Sequence, residues 1–173
     1  MSITHFPPNG DGRLECINGT QSVIPAGSVV YLTSIDTITV PNIALARADN
    51  SATLPATGIT IDEFQPSGRG KIAVDGIING INTSAWTIGA LLYISPTSAG
   101  QLTDARPSAP NFMQVIARVL KVSTTAGILQ LCIQSFQDGL YGACSLDADG
   151  RVPLPRMGTG SPSPGTVLTG DGS

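Results

Sequence analysis

Apolar and polar residues alternate through much of the chain in runs too short for helices. In Lys71-Ile72-Ala73-Val74-Asp75, Ile72 and Val74 fall on one face and Lys71 and Asp75 on the other. Leu129, Leu131 and Ile133 alternate in the same way with Gln130 and Gln134. A period of two is the side-chain repeat of a strand with one face buried. Gly and Pro interrupt the chain every few residues, which suits short strands at about ten-residue spacing and leaves little room for helices. The pattern predicts strands over 13–17, 28–33, 43–48, 57–62, 70–77, 90–95, 115–122 and 128–134, paired antiparallel. One segment reads two ways: Asn111 could cap a helix in which Phe112, Val115, Ile116, Val119 and Leu120 share a face.

Turn signals separate these runs. Asn9-Gly10-Asp11-Gly12, Asn18-Gly19, Asp75-Gly76, Asn79-Gly80 and Asp149-Gly150 supply residues that tolerate positive φ in tight hairpins. After about Gln134 the apolar alternation ends and Gly and Pro dominate. The expected organisation is an N-terminal arm over 1–11, a β-domain over 12–137 and an extended C-terminal arm over 138–173. The expected fold is all-β, a compact antiparallel sandwich or barrel-like domain.

Composition changes the picture in one respect. The chain has 173 residues and is 41 % apolar, enough for a core without disulfides or metals. Charged residues make up only 12 %, about half the usual share, with a net charge of −3. A surface so poor in charge suits burial against neighbouring subunits, because interface cores are depleted of Lys, Glu and Asp. There is no apolar run of membrane-spanning length, no signal-peptide pattern in Met1-Ser2-Ile3-Thr4-His5, and no block of Lys or Arg suited to nucleic acid. Synthesis and folding in a bacterial cytoplasm, with neither membrane nor nucleic acid as partner, is the expectation.

Candidate chemistry is thin. His5 is the only histidine, so a Ser-His-Asp or Cys-His system would hang on one residue near the terminus. Cys16, Cys132 and Cys144 are far apart and read as free thiols. Asp147-Ala148-Asp149-Gly150 begins like a calcium loop but lacks its later ligands. Gly68-Arg69-Gly70-Lys71 lacks the spacing of a phosphate loop. Asp62 and Glu63, as neighbours on a strand, point to opposite faces rather than towards each other. No catalytic residue, metal ligand or cofactor is expected, and the chain reads as a non-enzyme. Trp86, the single tryptophan, suits core or inter-subunit packing.

The stretch Gly76-Ile77-Ile78-Asn79-Gly80-Ile81-Asn82-Thr83-Ser84-Ala85-Trp86-Thr87-Ile88-Gly89-Ala90-Leu91-Leu92-Tyr93-Ile94-Ser95, followed by Ala99-Gly100-Gln101-Leu102-Thr103, resembles a β-domain of tailed-bacteriophage tail-fibre and other virion proteins. In that family a Gly-rich hairpin leads into a G-x-x-L-Y-x-S strand, a turn ending in Gly and Leu-Thr, a Pro-rich link and two closing strands. Pro107-Ser108-Ala109-Pro110-Asn111 and residues 115–134 continue the match, and Ile24-Pro25-Ala26-Gly27-Ser28-Val29-Val30-Tyr31 and Gly58-Ile59-Thr60 extend it upstream. The resemblance covers residues 12–134 and assigns the ambiguous segment to strand. Segments 146–154 and 165–173 look like the short repeats that follow such domains in fibre proteins.

The resemblance implies a virion structural protein on the outer surface of the particle. The leading expectation is a homotrimeric tail-fibre, appendage or adaptor component that attaches through extended arms to tail, baseplate or neck proteins. The alternative is a capsid-decoration protein clamping the major capsid protein. A third reading is a carbohydrate-binding module, with Trp86 and Tyr93 stacking on a host-surface glycan. The residues expected at assembly contacts are Ile3, Phe6, Trp86, Leu140, Tyr141, Val152, Leu154, Val167 and Leu168, apolar positions in arms or loops that a lone domain could hardly bury.

Overall fold

The computed structural model describes residues 4–6, 12–35 and 40–135, with backbone alone at 4–6 and 35. All lie in the first of two compact units, Met1–Gly139, the second being Leu140–Ser173. Of the described residues 45 % are strand and 3 % helical, so the all-β expectation holds and the segment after Asn111 is a strand.

Five strands close into a barrel: β2 (Arg13–Asn18), β3 (Val29–Ile35), β4 (Pro41–Leu45), β5 (Ala56–Thr60) and β6 (Arg69–Ala73). They run in the order β2-β4-β3-β5-β6, with β6 pairing back to β2. One pairing departs from the antiparallel expectation, since β2 and β4 run parallel through Ile17 opposite Asn42 and Asn18 opposite Ile43. Six strands form a second, antiparallel sheet: β1 (Thr4–Phe6), β7 (Ile77–Ile81), β8 (Leu91–Ile94), β9 (Leu102–Thr103), β10 (Val115–Lys121) and β11 (Gly127–Leu131). Its order is β1-β7-β11-β10-β8-β9.

Two cores result. Cys16, Ile24, Val30, Ile43, Phe64 and Ile72 fill one cluster contributed wholly by the barrel half. The other joins barrel residues such as Val29, Ile59 and Ala73 to Ile78, Leu92, Ile116, Val119 and Leu129 of the sheet. Neighbouring residues of one strand therefore serve different cores: Val30 and Ile72 go to the first, Val29 and Ala73 to the second. Strands buried on both faces lose the polar half of the alternation. The sheet keeps it on β11, where Leu129 and Leu131 are buried and Gln130 is exposed.

The predicted strand over 70–77 is in fact two. β6 stops at Ala73, and Gly76 at φ +88° turns the chain out of the barrel and into the sheet. The Asn79-Gly80 dipeptide, expected as a hairpin turn, lies inside β7. Opposite it, β11 pairs Gly127 with Ile81 and then Ile128 with Asn79, leaving Gly80 as an unpaired bulge. Its φ of +95° needs the same glycine freedom as a turn, which is why the two look alike in sequence.

Candidate assembly surface

The loop from Asn82 to Ala90 is stitched to the end of β10. Thr83, fully buried, donates from its amide to the Ser123 carbonyl at 2.9 Å and from Oγ1 to the Lys121 carbonyl at 2.8 Å, and Oγ1 accepts from the Ser123 amide at 3.0 Å. The Gly89 amide donates to the Val119 carbonyl at 2.8 Å, and the Val119 amide donates to the Ala90 carbonyl at 3.0 Å. Gly127 opposite has no room for a Cβ, which would run into Thr83 and the Ile81 carbonyl. The loop is thus built into the sheet.

This stitching sets Ile88 beside the last residues of β10. Ile88 is 72 % exposed, Leu120 40 % and Val122 39 %, three of the five large apolar side chains that the described part of the chain leaves in solvent. Leu120 is turned outward by a register break between Val119 and Lys121, where β10 carries one residue more than β11 opposes. On the face of the sheet away from the barrel, Ile77, Leu91, Tyr93 and Ile128 are half-buried and belong to neither core. The end of the sheet and this outer face together make the candidate surface.

Of the residues expected at assembly contacts, Trp86 is half-buried and packs on the core shared by barrel and sheet. It anchors the loop that presents Ile88. Phe6 is described in backbone only, in β1 opposite Ile77. Ile3, Leu140, Tyr141, Val152, Leu154, Val167 and Leu168 lie outside the described residues, as does the Asp147–Gly150 turn. Ile88, Leu120 and Val122 were not anticipated. Their exposure depends on the register break in β10 and on the course of the 82–90 loop, which the sequence pattern does not reveal.

Chemistry elsewhere is sparse. No group of three or more metal-ligating side chains occurs among the described residues. Asp62 and Glu63 are exposed and lie beyond the end of β5 at Thr60, not on the strand expected over 57–62, and Glu63 accepts from Gln65 Nε2 at 2.9 Å. Arg69 sits on β6 opposite Ile17 and reaches diagonally across the barrel ladder to Glu15 at 3.7 Å. Cys16 is fully buried, donates to the Leu14 carbonyl and has its thiol pushed up to about 11, by burial first and by the Glu15 charge second. Burial also raises Cys132, with Arg118 pulling the other way. Neither thiol is an activated nucleophile.

A cleft of about 290 Å³ opens beside the β8–β9 hairpin, lined by Ser95, Thr97, Thr103, Arg106 and Ser108 among others. Two of its hydroxyls are used within their own turns: Ser95 Oγ accepts from the Thr97 and Ser98 amides, and Thr103 Oγ1 from the Ala105 amide. Nor do Trp86 and Tyr93 form a stacking platform together, because Trp86 packs on the barrel-side core while Tyr93 alternates to the opposite face.

No protein-family model matches the chain, and no curated protein matches it.

Proposed function

We propose that this chain is a non-enzymatic structural protein of a tailed-bacteriophage particle, a trimeric tail-fibre or appendage component on the particle surface that associates through the end and outer face of its six-stranded sheet. The observation that carries the self-association is the gathering at one end of that sheet of Ile88, on a loop tied down by the Thr83 hydrogen bonds, with Leu120 and Val122 at the end of β10. A loop fixed in this way leaves little backbone to order when Ile88 is buried. The phage setting rests on the resemblance of residues 12–134, and the low charge content accords with extensive burial between subunits.

Burying one isoleucine contributes about 1.5–3 kcal/mol, and a carboxylate in its place has to be desolvated. Ile88→Asp is therefore expected to leave the unfolding free energy of the subunit within about 0.5 kcal/mol of wild type. It should weaken self-association at least tenfold in sedimentation equilibrium. Unchanged association would remove Ile88 from the interface and with it this reading of the surface. Capsid decoration would use the same kind of surface, and copy number per particle separates the two: hundreds of copies mean decoration of the capsid lattice, a few dozen or fewer mean an appendage.

A further inference from the structure

Edges decide where strands can be added. The barrel is closed and offers none, so among the described strands every free edge belongs to the six-stranded sheet, at β1 on one side and β9 on the other. β1 is three residues long and pairs with β7 alone, Thr4 opposite Asn79, His5 opposite Ile78 and Phe6 opposite Ile77. Remove it and β7, with Ile78 and Ile81 in the core, becomes the edge of the sheet.

The chain around β1 suits delivery from elsewhere. From Phe6 to the first residue of β2, Arg13, six residues intervene, whereas the opposing run from Ala73 at the end of β6 to Ile77 at the start of β7 has three. Six residues reach roughly 20 Å when extended, about twice what the opposing run spans. At the far end Gly12, with φ +45°, supplies a pivot that few other residues allow. A three-residue ladder returns little against the cost of ordering its backbone. Exchange between copies keeps every β1–β7 contact while joining the chains.

We propose that the β7 edge is a strand-acceptor site, filled in the assembled protein by Thr4–Phe6 of a second copy of this chain. Donor and acceptor are different surfaces, so the exchange closes either reciprocally between two copies or as a ring of more. A ring of three matches the trimer read above. The proposal rests on that reading for its symmetry, but its readout is a covalent bond in the purified chain and does not depend on virion attachment or on Ile88.

The test uses the full chain with Cys132 and Cys144 replaced by serine, Cys16 being buried. Thr4→Cys and Asn79→Cys occupy facing positions in the β1–β7 ladder. Refolding the two single variants together and oxidising them is expected to link one chain of each kind, giving a doublet-mass band on a non-reducing denaturing gel. The double variant is expected to close into covalent dimers or trimers, whose size gives the ring. A double variant that consumes both thiols yet runs as a monomer, with no linked product from the mixture, would show that β1 pairs within its own chain and overturn the proposal. Thiols that stay free in both preparations, in chains that circular dichroism shows to be folded, would overturn it as well.

Discussion

Gln114 ties the barrel to the sheet, and its removal tests how the two halves are held together. Its side chain is 2 % exposed and acts as a short piece of backbone. Oε1 accepts from the Ala56 amide at 2.8 Å, while Nε2 donates to the Ala56 carbonyl at 3.0 Å and to the Gln134 carbonyl at 2.9 Å. Ala56 opens β5 of the barrel, and Gln134 follows β11 of the sheet, so one amide spans both. Gln114→Leu keeps the volume and deletes all three bonds. Ala56 is 3 % exposed, so its amide and carbonyl are left without partners in a place that water does not reach.

A buried backbone group without a partner costs about 1–3 kcal/mol. Two at Ala56 make a loss on the order of 3 kcal/mol, a large part of the 5–15 kcal/mol that ordinarily separates folded from unfolded chains. For a chain of this length the melting temperature falls by roughly 10 °C. The magnitude should be read from urea unfolding and its location from hydrogen exchange. Gln114→Leu should strip protection from the Ala56 amide, whereas Gln114→Glu, which keeps an acceptor oxygen, should preserve part of it. Unaltered protection of Ala56 in Gln114→Leu would mean that this amide has another partner, and the tie would be refuted whatever the change in stability.

Two further outcomes follow from the barrel core. A Cβ at Gly70 would stand 2.7 Å from Phe64 Cζ and 2.9 Å from Cε1 and Cε2, so Gly70→Ala is expected to cost about 1–3 kcal/mol, and Phe64→Leu should recover part of it; strict additivity in the double variant would sink the contact. Cys16 is held protonated in the folded chain up to about pH 11 but ionises near 9 when unfolded, so the unfolded state binds fewer protons between those values and stability should decline as pH rises through that window; Cys16→Ala should flatten the decline, and an unchanged slope would place the titrating group elsewhere.

The sequence was most readable where one face of a strand is wet. Leu129 and Leu131 against Gln130 mark β11 and its buried face, though the alternation runs on to Gln134 while the strand ends at Leu131. It was least readable where backbone geometry, not side-chain pattern, decides. Gly80 has the φ of a turn glycine but uses it to bulge a continuous strand, so Asn79-Gly80 pointed to a hairpin that is not there. Gln114, standing before Val115 and Ile116, looks like a solvent-facing strand end. Only the pairing of β5 with the barrel brings Ala56 across to it, 58 residues away in sequence. The surface residues show the same division. Trp86 was conspicuous by type, yet what exposes Leu120 is a register slip visible only once β10 and β11 are paired.

Charge distinguishes the two halves more sharply than hydrophobicity does. The barrel strands carry Arg13, Glu15, Arg69 and Lys71, and Arg69 and Glu15 partly neutralise each other across the ladder. In the sheet, strands β1, β7, β8, β9 and β11 contain no Asp, Glu, Lys or Arg, and the two charges present, Arg118 and Lys121, are both on β10. Desolvating an ion costs several kcal/mol unless a partner compensates, so a face with few charges is the cheaper one to bury between subunits. The two cations set a condition on whatever covers it. Arg118 and Lys121 face Gln130 and Ile128 across the ladder, with no carboxylate opposite them, so a covering subunit that buries this face must bring acceptors to β10 or leave its cations at the rim. The uncharged strands flanking β10, β8 on one side and β11 and β7 on the other, carry no such requirement, and the half-buried Leu91, Tyr93, Ile77 and Ile128 lie there.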